Sequence, residues 1–495
     1  MKSLLRNYIE GLQVLRVKAG LTIVSRGELL KSLIKEFLTY STFLGLLLTS
    51  LLIIYDLNAV HTIYILIPSI PALALLPHLR YRFLARTYGK ALENELTYFI
   101  ISEAITLTNS TELINDICEL GDWGKVFPNL SRCGLRLNVY KKFLTLFESV
   151  NHYIKYVSSE FISRLLSDYI LAVSRGMINS WITHTSTELL RKLGSNAKTL
   201  IKLRTTTVLI IGILLSYLPT LIFSISVITG EESLTSAAIL MPILTVFTIL
   251  FLPRNVQHLR IYLKFGVARK LLTYMSYLMI LLTAYYMFSH PITAKYLILT
   301  TAAVVLINGL LGLRKFYEVM REVYEIPRII YMFAETPHIL INPLKALKDV
   351  LSSCKSKSLR ELSIRLDLNK ASSSVEILNS WLGRYIYYVL VKSLINGSLS
   401  KEQLLSLRIL TLDMLDDIKQ YLVSALPLLM MSLMMPWFMI SMTALAGVET
   451  TKYGFYIYLL TMTYSIYVDY IVFTTPKITL VSAMTLLLLG LIWVG

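Results

Sequence analysis

Long apolar stretches alternate with long hydrophilic blocks along this chain of 495 residues. An apolar run of about 18 or more residues is long enough to cross a membrane as a helix, and a helix leaves no backbone polar group without a hydrogen bond in lipid. Nine stretches meet or approach this length, of which the fourth is short and contains Pro242. The predicted spans are residues 37–55, 60–77, 205–227, 237–252, 271–288, 296–313, 422–446, 455–473 and 478–494.

Two large hydrophilic blocks, 78–204 and 314–421, lie between the spans and have helical rather than β periodicity. In the first block, apolar residues recur at steps of three and four over 143–165: Phe143, Leu146, Phe147, Val150, Ile154, Val157, Phe161 and Leu165. In the second, a similar stripe over 405–422 runs into the seventh predicted span: Leu405, Ile409, Leu412, Leu415, Ile418 and Leu422.

Helix-capping residues stand near the start of both blocks. Asn109 precedes Glu112 by three positions, and Asn342 is followed by Pro343, which suits the first position of a helix. Each block is therefore predicted to begin with a helical hairpin. The expected fold is an all-α polytopic membrane protein with about nine transmembrane helices and two helical cytoplasmic domains.

The order of the segments repeats along the chain. Two spans, a hydrophilic block and two spans are followed by the same arrangement and one additional span. The predicted segments are an N-terminal amphipathic segment (1–36), a transmembrane pair (37–77), the first block (78–204), a second pair (205–252), a basic loop (253–270), a third pair (271–313), the second block (314–421) and three C-terminal spans (422–495).

A short motif in the third and seventh predicted spans repeats 217 positions apart. Its form is Pro-x4-Ser-x-Ser/Thr-x3-Gly, carried by Pro219, Ser224, Ser226 and Gly230 in one copy and by Pro436, Ser441, Thr443 and Gly447 in the other. A shared pattern at equivalent places predicts a duplicated module. Chance is the alternative explanation, because these residue types are common in membrane helices.

The basic residues are distributed very unevenly between the two sides of the predicted membrane. The chain is 55% hydrophobic and only 16% charged, against about 25% charged residues in soluble domains. All 48 Lys and Arg residues except Lys295 and Lys452 fall on one side. The positive-inside rule places that side, with the N-terminus and both blocks, in the cytoplasm, and the C-terminus outside. Orientation thus explains the net charge of +17, with attraction to anionic headgroups as a secondary effect, and no nucleic-acid partner is predicted.

Residues typical of catalysis or of metal binding do not form a familiar motif. The chain has no P-loop, H-E-x-x-H or G-x-S-x-G sequence. Asp413, Asp416 and Asp417 would suit Mg²⁺, but a solvated helix face is the ordinary explanation. Asp469 lies inside a predicted span, where it either marks a substrate pathway or pairs locally. We predict no enzyme activity, no cofactor and no metal site.

The cysteines give no sign of a disulfide framework. Cys118, Cys133 and Cys354 all fall on the predicted cytoplasmic side, and no Cys-x-x-Cys pair exists. Reduced structural thiols are therefore expected.

The two helical blocks between span pairs resemble the type II secretion system F-domain family, in particular its archaeal version. The hairpin of that family is matched by 95–120, with Thr108-Asn109-Ser110 at the turn, and less well by 325–351, through Glu335-Thr336-Pro337. Neither turn has the glycine that is frequent in the family. The resemblance implies a dimeric platform of a type IV pilus or archaellum, which contacts a hexameric cytoplasmic ATPase and pilin subunits. The alternative is a multi-pass transporter or membrane-embedded enzyme with a parallel internal repeat.

Two sets of candidate functional residues follow from this resemblance. The basic loop is a candidate ATPase contact through Arg254, Arg260, Lys264, Arg269 and Lys270, although these charges also serve to fix orientation. Pro219 and Pro436 are candidate hinges, since proline interrupts the helical hydrogen bonds. Static packing, with Ser224 or Ser441 satisfying a freed carbonyl, is the alternative.

The predicted topology is testable by thiol labelling. We expect Glu232→Cys and Glu449→Cys to react with a membrane-impermeant maleimide in intact cells, because both positions lie on the outer side while the three native cysteines lie inside. Lys264→Cys, in the basic loop, should react only after permeabilisation. Protection of both Glu232→Cys and Glu449→Cys in intact cells would overturn the predicted orientation.

Overall fold

The protein is predominantly helical in the part of the chain that the structure describes. A computed structural model describes residues 2–22, 25, 27–38, 59–106, 113–229, 245, 257–290, 294–336, 341–397, 400–447, 449, 453–475 and 477–494. Besides α-helices these residues form turns, short 3₁₀ segments and one isolated antiparallel bridge between Ile261 and Ser380. The chain divides into two compact units, Met1–Leu190 and Arg191–Gly495.

Within the described part of the chain, the first unit includes seven helices and the start of an eighth. They are α1 (Lys2–Lys18), α2 (27–38), α3 (Ala59–Thr106), α4 (Leu113–Glu119), α5 (Pro128–Lys141), α6 (Leu146–Ile154), α7 (Glu160–Ser174) and the first turns of α8 (Ile178–Thr229).

Polar residues explain where the short helices of this unit begin. Thr145 and Glu148 form a reciprocal capping box around the start of α6, and the side chain of Ser159 accepts a hydrogen bond from the backbone N–H of Ile162 in α7. Each bond satisfies a donor that the first turn of a helix leaves free.

The apolar stripe predicted between Phe143 and Leu165 does not lie on one continuous helix. It is divided between α6 and α7, and Phe143 is 83% exposed. Ser158 Oγ donates a hydrogen bond to the carbonyl of Ala85 at 2.8 Å, and Ser159 caps the next helix. These two side-chain bonds, one to a distant residue and one local, turn the backbone although the apolar spacing continues.

The described residues of the second unit include the remainder of α8 and ten further helices. These are α9 (Val267–Ser289), α10 (Ala294–Ala334), α11 (Pro343–Ser352), α12 (Lys357–Arg365), α13 (Ala371–Ser374), α14 (Trp381–Asn396), α15 (Lys401–Ser424), α16 (Leu426–Leu445), α17 (Gly454–Phe473) and α18 (Leu480–Val494). The predicted cap of α11 is confirmed, since the side chain of Asn342 accepts from the N–H of Lys345 at 3.0 Å. Its counterpart Asn109 lies outside the described residues.

Five helical segments of the described chain are long and apolar enough to cross a membrane: Ile201–Ile225, Val267–Ser289, Tyr296–Ala334, Lys401–Leu445 and Gly454–Phe473. They contain the predicted spans 205–227 (except its last residues), 271–288, 296–313, 422–446 (except its last residue) and 455–473. The ninth predicted span corresponds to the shorter apolar helix Leu480–Trp493. Several helices therefore suit a multi-pass membrane protein.

The other predicted spans cannot be counted in the same way. Residues 60–77 belong to α3, where the side chains of 60–76 are not described, and 37–55 and 237–252 lie almost entirely outside the described residues. The count of nine spans and the duplication stay predictions.

The second predicted stripe, over 405–422, lies on one helix but with a different buried face. Ile409 and Leu412 are exposed. Apolar residues occur on several sides of α15, so spacing alone does not decide which side packs inward. The buried side includes Leu404, Leu407, Met414, Leu415, Ile418 and Tyr421.

Polar side chains join the apolar helices of the second unit. The amide of Asn308 on α10 accepts from Thr273 Oγ1 of α9 at 3.2 Å and donates to Thr479 Oγ1, just before α18, at 3.1 Å. Thr283 and Thr301 share a further hydrogen bond of 2.7 Å between α9 and α10. Such bonds hold helices together where lipid offers no competing partner.

Gly134 is the point at which α4 and α5 meet backbone to backbone. A Cβ at this position would overlap the carbonyl oxygen of Ile117. We expect Gly134→Ala to lower the free energy of unfolding of the first unit by about 2–3 kcal/mol, because the backbone of α4 must move. The thermal unfolding midpoint of the purified protein measures this loss.

Gly194→Ala is the matched control. Gly194 also lies inside a helix, but an added Cβ there meets nothing within 4 Å. That substitution should leave the midpoint unchanged or raise it, since Ala favours a helix by about 1 kcal/mol over Gly. Equal midpoints for the two variants would contradict the close contact of α4 with α5.

Candidate functional site

A fully buried carboxylate organises the start of α14 in the second hydrophilic block. Glu322 of α10 accepts hydrogen bonds from the N–H of Ser380 at 3.0 Å, from the hydroxyl of Ser380 at 2.6 Å and from the N–H of Asn379 at 3.1 Å. The hydroxyl of Ser358 gives a fourth bond of 2.6 Å. A buried charge is tolerated when it is hydrogen-bonded in this way, so Glu322 fixes α14 to α10.

The loop before α9 is attached to this same helix start. Tyr262 N–H donates to the carbonyl of Asn379 at 2.6 Å, and Trp381 N–H donates to the carbonyl of Arg260 at 3.0 Å. The guanidinium of Arg384 lies over the ring of Tyr262, with its carbon 3.9 Å from the ring centroid. Residues 257–266, which we call the strap, therefore bind the second block to the helix that follows them.

Four of the five basic residues predicted as an ATPase contact lie within the described chain, and their side chains differ in their partners. Arg254 lies outside the described residues. Lys264 Nζ donates to the carbonyl of Glu376 at 2.8 Å and lies 3.5 Å from its carboxylate, and Arg269 donates to the carbonyl of Leu311 at 2.6 Å. The side chains of Arg260 and Lys270 make no hydrogen bond or ion pair within the described chain.

A second carboxylate on α10 holds the start of α12. Glu325 accepts from the N–H of Lys355 at 3.0 Å and from the N–H of Ser356 at 2.8 Å. Ser356 is the residue before α12. Glu322 and Glu325 thus attach two later helices of the block to one long helix.

The first unit uses the same arrangement. Glu95 of α3 is fully buried and accepts from the N–H groups of Asn129 and Leu130 at 2.7 and 2.8 Å, at the start of α5. Glu93, also on α3, accepts from the hydroxyl of Ser159, which caps α7. In each unit, two glutamates of a long helix therefore hold the starts of two later helices.

Sequence reasoning missed these four glutamates, although one signal was present. Glu95 falls between Leu92, Leu96 and Phe99, all buried on one side of α3. Glu322 falls similarly among Val319, Val323 and Ile326. A carboxylate on the apolar side of an amphipathic helix is costly to bury, so it indicates an internal partner.

The helices of the proline motif expose matching positions. At the 217-residue offset, Tyr217 of α8 and Met434 of α16 are 64% and 63% exposed, and Ile228 and Leu445 are 74% and 84% exposed. Both prolines lie within helices; Pro436 is buried in α16, and the side chain of Pro219 in α8 is not described. The two helices therefore turn equivalent sides away from the protein.

The structure shows what Ser224, in the first copy of the motif, and Gly447, in the second copy, do locally. Ser224 Oγ donates to the carbonyl of Thr220 at 2.7 Å, and not to the carbonyl of Leu215, which Pro219 would leave without a donor. Gly447 ends α16 with a φ of 67°, a left-handed conformation that glycine adopts without strain. Gly230, its counterpart, directly follows α8 but lies outside the described residues. Ser441 lies inside α16 and is half-buried.

The aspartates considered as candidate metal ligands or pathway residues differ in burial and in their partners. Asp413 and Asp416 are exposed, whereas Asp417 is buried with its Oδ2 3.3 Å from Nε2 of His258. Asp469 accepts from the N–H groups of Val481 and Ser482 at 2.8 and 2.9 Å. Its carboxylate thus caps α18, and no group of three metal-binding side chains occurs among the described residues.

The three cysteines are free thiols. Burial raises the pKa of Cys133 to about 12 and that of Cys354 to about 12. Both thiols therefore stay protonated at neutral pH and are poor nucleophiles.

Comparison with protein-family models, with curated proteins and with solved structures finds no match to this chain.

The glutamate of the first unit can be tested with a thiol that the chain already carries. Cys133 lies buried in α5, the helix that Glu95 holds. In a protein with Cys118→Ser and Cys354→Ser, we expect Glu95→Ala to destabilise the first unit by about 3 kcal/mol, since two helix-start donors lose a charged acceptor. Cys133 should then react with a maleimide dye at a lower temperature.

Two further variants sharpen this experiment. Glu95→Gln keeps an acceptor oxygen and should shift the labelling temperature by less than Glu95→Ala. Glu322→Ala removes the corresponding anchor of the second unit and should leave Cys133 labelling nearly unchanged. A shift of equal size for Glu95→Ala and Glu322→Ala would show that the anchors do not act within their own units.

Proposed function

We propose that this protein is the membrane platform on which a type IV pilus-like filament is assembled, an archaeal relative of the type II secretion F-domain proteins. In this role it couples a cytoplasmic hexameric ATPase to pilin subunits in the bilayer, and it acts as a homodimer without a cofactor. The observation that carries the proposal is the continuity of helices between hydrophilic and apolar segments. Helix α8 runs for 52 residues and α10 for 41.

Such continuity suits a machine that passes force from the cytoplasm to the membrane. The N-terminal turns of α8 are hydrophilic and its later turns are apolar, while α10 has the opposite order. Helices α15 and α16 are separated by one residue, Ala425. A continuous helix is stiff over this length, so displacement of its hydrophilic end displaces its apolar end.

The common plan of the two hydrophilic blocks supports the duplication that the resemblance implies. Each has a long helix with two anchoring glutamates (α3 and α10), a short helix (α4 and α11), two helices held at their starts by those glutamates (α5 and α7; α12 and α14), and then a helix that leads into an apolar segment (α8 and α15). The matching exposed sides of α8 and α16 extend this correspondence into the apolar segments.

The strap supports a coupling role for the basic loop. Its backbone bonds to Asn379 and Trp381 attach it to the second block, and its chain continues into α9, which is apolar enough to span the membrane. Arg260 and Lys270 keep side chains available for an ATPase, whereas Lys264 and Arg269 have internal partners. The proposed hinges at Pro219 and Pro436 would act on the two helices that follow the blocks.

The alternative function, a multi-pass transporter or membrane-embedded enzyme, has no specific observation in its favour within the described residues. The intramembrane Asp469 is the residue most suggestive of transport. Its carboxylate already accepts two backbone N–H groups and the hydroxyl of Ser482 at 2.6 Å. A role in closing α18 onto α17 accounts for these bonds.

A charge-exchange experiment tests the proposal. Filaments are counted on cells by electron microscopy. We expect Lys264→Glu to reduce their number by about fivefold at most. The substitution replaces the half-exposed ion pair of Lys264 with Glu376, worth about 1 kcal/mol or less, by a repulsion between two carboxylates. Lys264→Glu with Glu376→Lys restores an attraction of reversed sign and should restore filaments. ATPase co-purification should be the same in all three proteins.

Arg260→Glu is the complementary variant, because its side chain is not engaged within the described chain. It should reduce co-purification of the ATPase while leaving membrane insertion intact. Unchanged ATPase binding would remove the loop from the interface. Normal filaments in cells that lack the whole protein would overturn the platform role.

A further inference from the structure

Helix α10 carries a regular repeat on the side that faces away from the protein. Beyond its apolar turns, an arginine followed three residues later by a tyrosine occurs three times at intervals of seven residues: Arg314 and Tyr317, Arg321 and Tyr324, Arg328 and Tyr331. All six side chains are exposed, and α10 stays helical throughout, including Pro327. We call these six residues the Arg–Tyr stripe.

The spacing of the stripe is the one with which a helix contacts a second helix along its length. Steps of three and four residues alternate, as between the a and d positions of a heptad repeat. Residues at such steps lie along one side of a helix. Arginine and tyrosine are also residue types that are enriched where proteins bind one another. The stripe therefore has the form of a binding surface for another helix.

The carboxylates of α10 do not neutralise the middle of the stripe. Glu322 and Glu325 accept hydrogen bonds from the starts of later helices. Glu318 lies beside the cations at the first end of the stripe. The side chains of Arg321 and Arg328 make no hydrogen bond or ion pair within the described chain. Both guanidinium groups are therefore available to an external anion.

Helix α15 adds a further positive charge at the far end of the stripe. The guanidinium carbon of Arg408 lies 4.5 Å from the centroid of the Tyr331 ring, and the neighbouring Ile409 is exposed. Guanidinium groups form paired hydrogen bonds with carboxylates, and exposed rings and aliphatic side chains favour apolar contacts. A complementary surface is therefore acidic and partly apolar.

Neither lipid nor a second copy of the chain fits the whole stripe. Residues 314–331 of a helix extend for about 26 Å, whereas the headgroup region of one leaflet is less than about 10 Å thick. Headgroups thus reach only the first arginine and tyrosine. A two-fold axis perpendicular to the membrane brings identical positions of two copies together, so each arginine would meet its own counterpart and be repelled.

We propose that the Arg–Tyr stripe binds an acidic α-helix of a partner protein along its length. Carboxylates one heptad apart in the partner pair with Arg321 and Arg328, and apolar side chains between them cover the tyrosine rings. The bound helix lies on the same helix that anchors α12 and α14 and that continues into an apolar segment. This inference goes beyond the platform role and does not depend on filament assembly.

The test uses the purified full-length protein in a nonionic detergent and a fluorescent synthetic peptide of three heptads. The peptide has Glu at one seam position, Leu at the other, and the helix formers Ala and Gln elsewhere. Its fluorescence anisotropy should rise saturably with protein, and salt should weaken binding because charges contribute to it. Arg321→Ala combined with Arg328→Ala should weaken the affinity about tenfold, and Tyr324→Ala about fivefold.

Matched controls separate the stripe from general attraction between charges. Arg360→Ala removes an exposed arginine of α12 and should leave the affinity unchanged. A peptide of the same composition with Glu and Leu scrambled should bind much more weakly, and so should one with Lys in place of Glu. The double arginine variant should keep the thermal unfolding midpoint of the unaltered protein, since its side chains have no internal hydrogen bonds to lose.

Several results would overturn the proposal. These are no binding of the acidic peptide, equal affinities of the unaltered protein and the double arginine variant, or equal binding of the scrambled peptide. A dimer that the double variant converts to a monomer, measured by light scattering, would assign the stripe to a second copy instead. Binding of phosphatidylglycerol that the double variant loses would assign it to lipid.

Discussion

The bond between a buried carboxylate and the first N–H groups of a helix is the interaction on which the two hydrophilic blocks depend. The first turn of every helix has donors without intrahelical partners, and its dipole favours a negative charge nearby. Glu95 and Glu322 are fully buried and lie at such helix starts. Desolvating a carboxylate costs several kcal/mol, and the three or four charge-assisted bonds offset that cost only in one relative position of the two helices. The bond therefore fixes geometry more than it adds net stability.

A series of contacts connects the carboxylate of Glu322 to other parts of the second unit. Glu322 sets the start of α14, and that helix start then supplies the backbone partners of the strap, Asn379 and Trp381. The strap continues into α9, and the anchoring α10 continues into its own apolar segment. After the side chain of Glu322, each step is a backbone hydrogen bond or an unbroken helix, so few rotatable side chains stand between the buried carboxylate and the apolar helices. A connection of this kind transmits small displacements with little loss.

Sequence reasoning identified five of the apolar helices and the cap of α11, but not the glutamates that hold the starts of later helices. Apolar runs identify membrane helices well because lipid allows few backbone solutions, and the cap at Asn342 follows from the local chemistry of Asn before Pro. The break between α6 and α7 was missed because the bond from Ser158 to the carbonyl of Ala85 joins residues far apart in the chain. The buried side of α15 was misjudged because its apolar residues occupy several sides. The sequence showed that the basic loop is rich in positive charge. It did not show that Lys264 and Arg269 have hydrogen-bond partners within the protein, because those partners, Glu376 and Leu311, are distant in sequence.

Asp469 makes the same kind of carboxylate-to-helix-start hydrogen bond, here between two apolar helices. Its carboxylate receives the first N–H groups of α18 and the hydroxyl of Ser482, so a group that would be costly in lipid is used to close a turn between two helices. Nearby, Asn308 and several threonine hydroxyls have partners on neighbouring helices. Polar groups that are fully hydrogen-bonded inside a bundle have little capacity left for a moving solute.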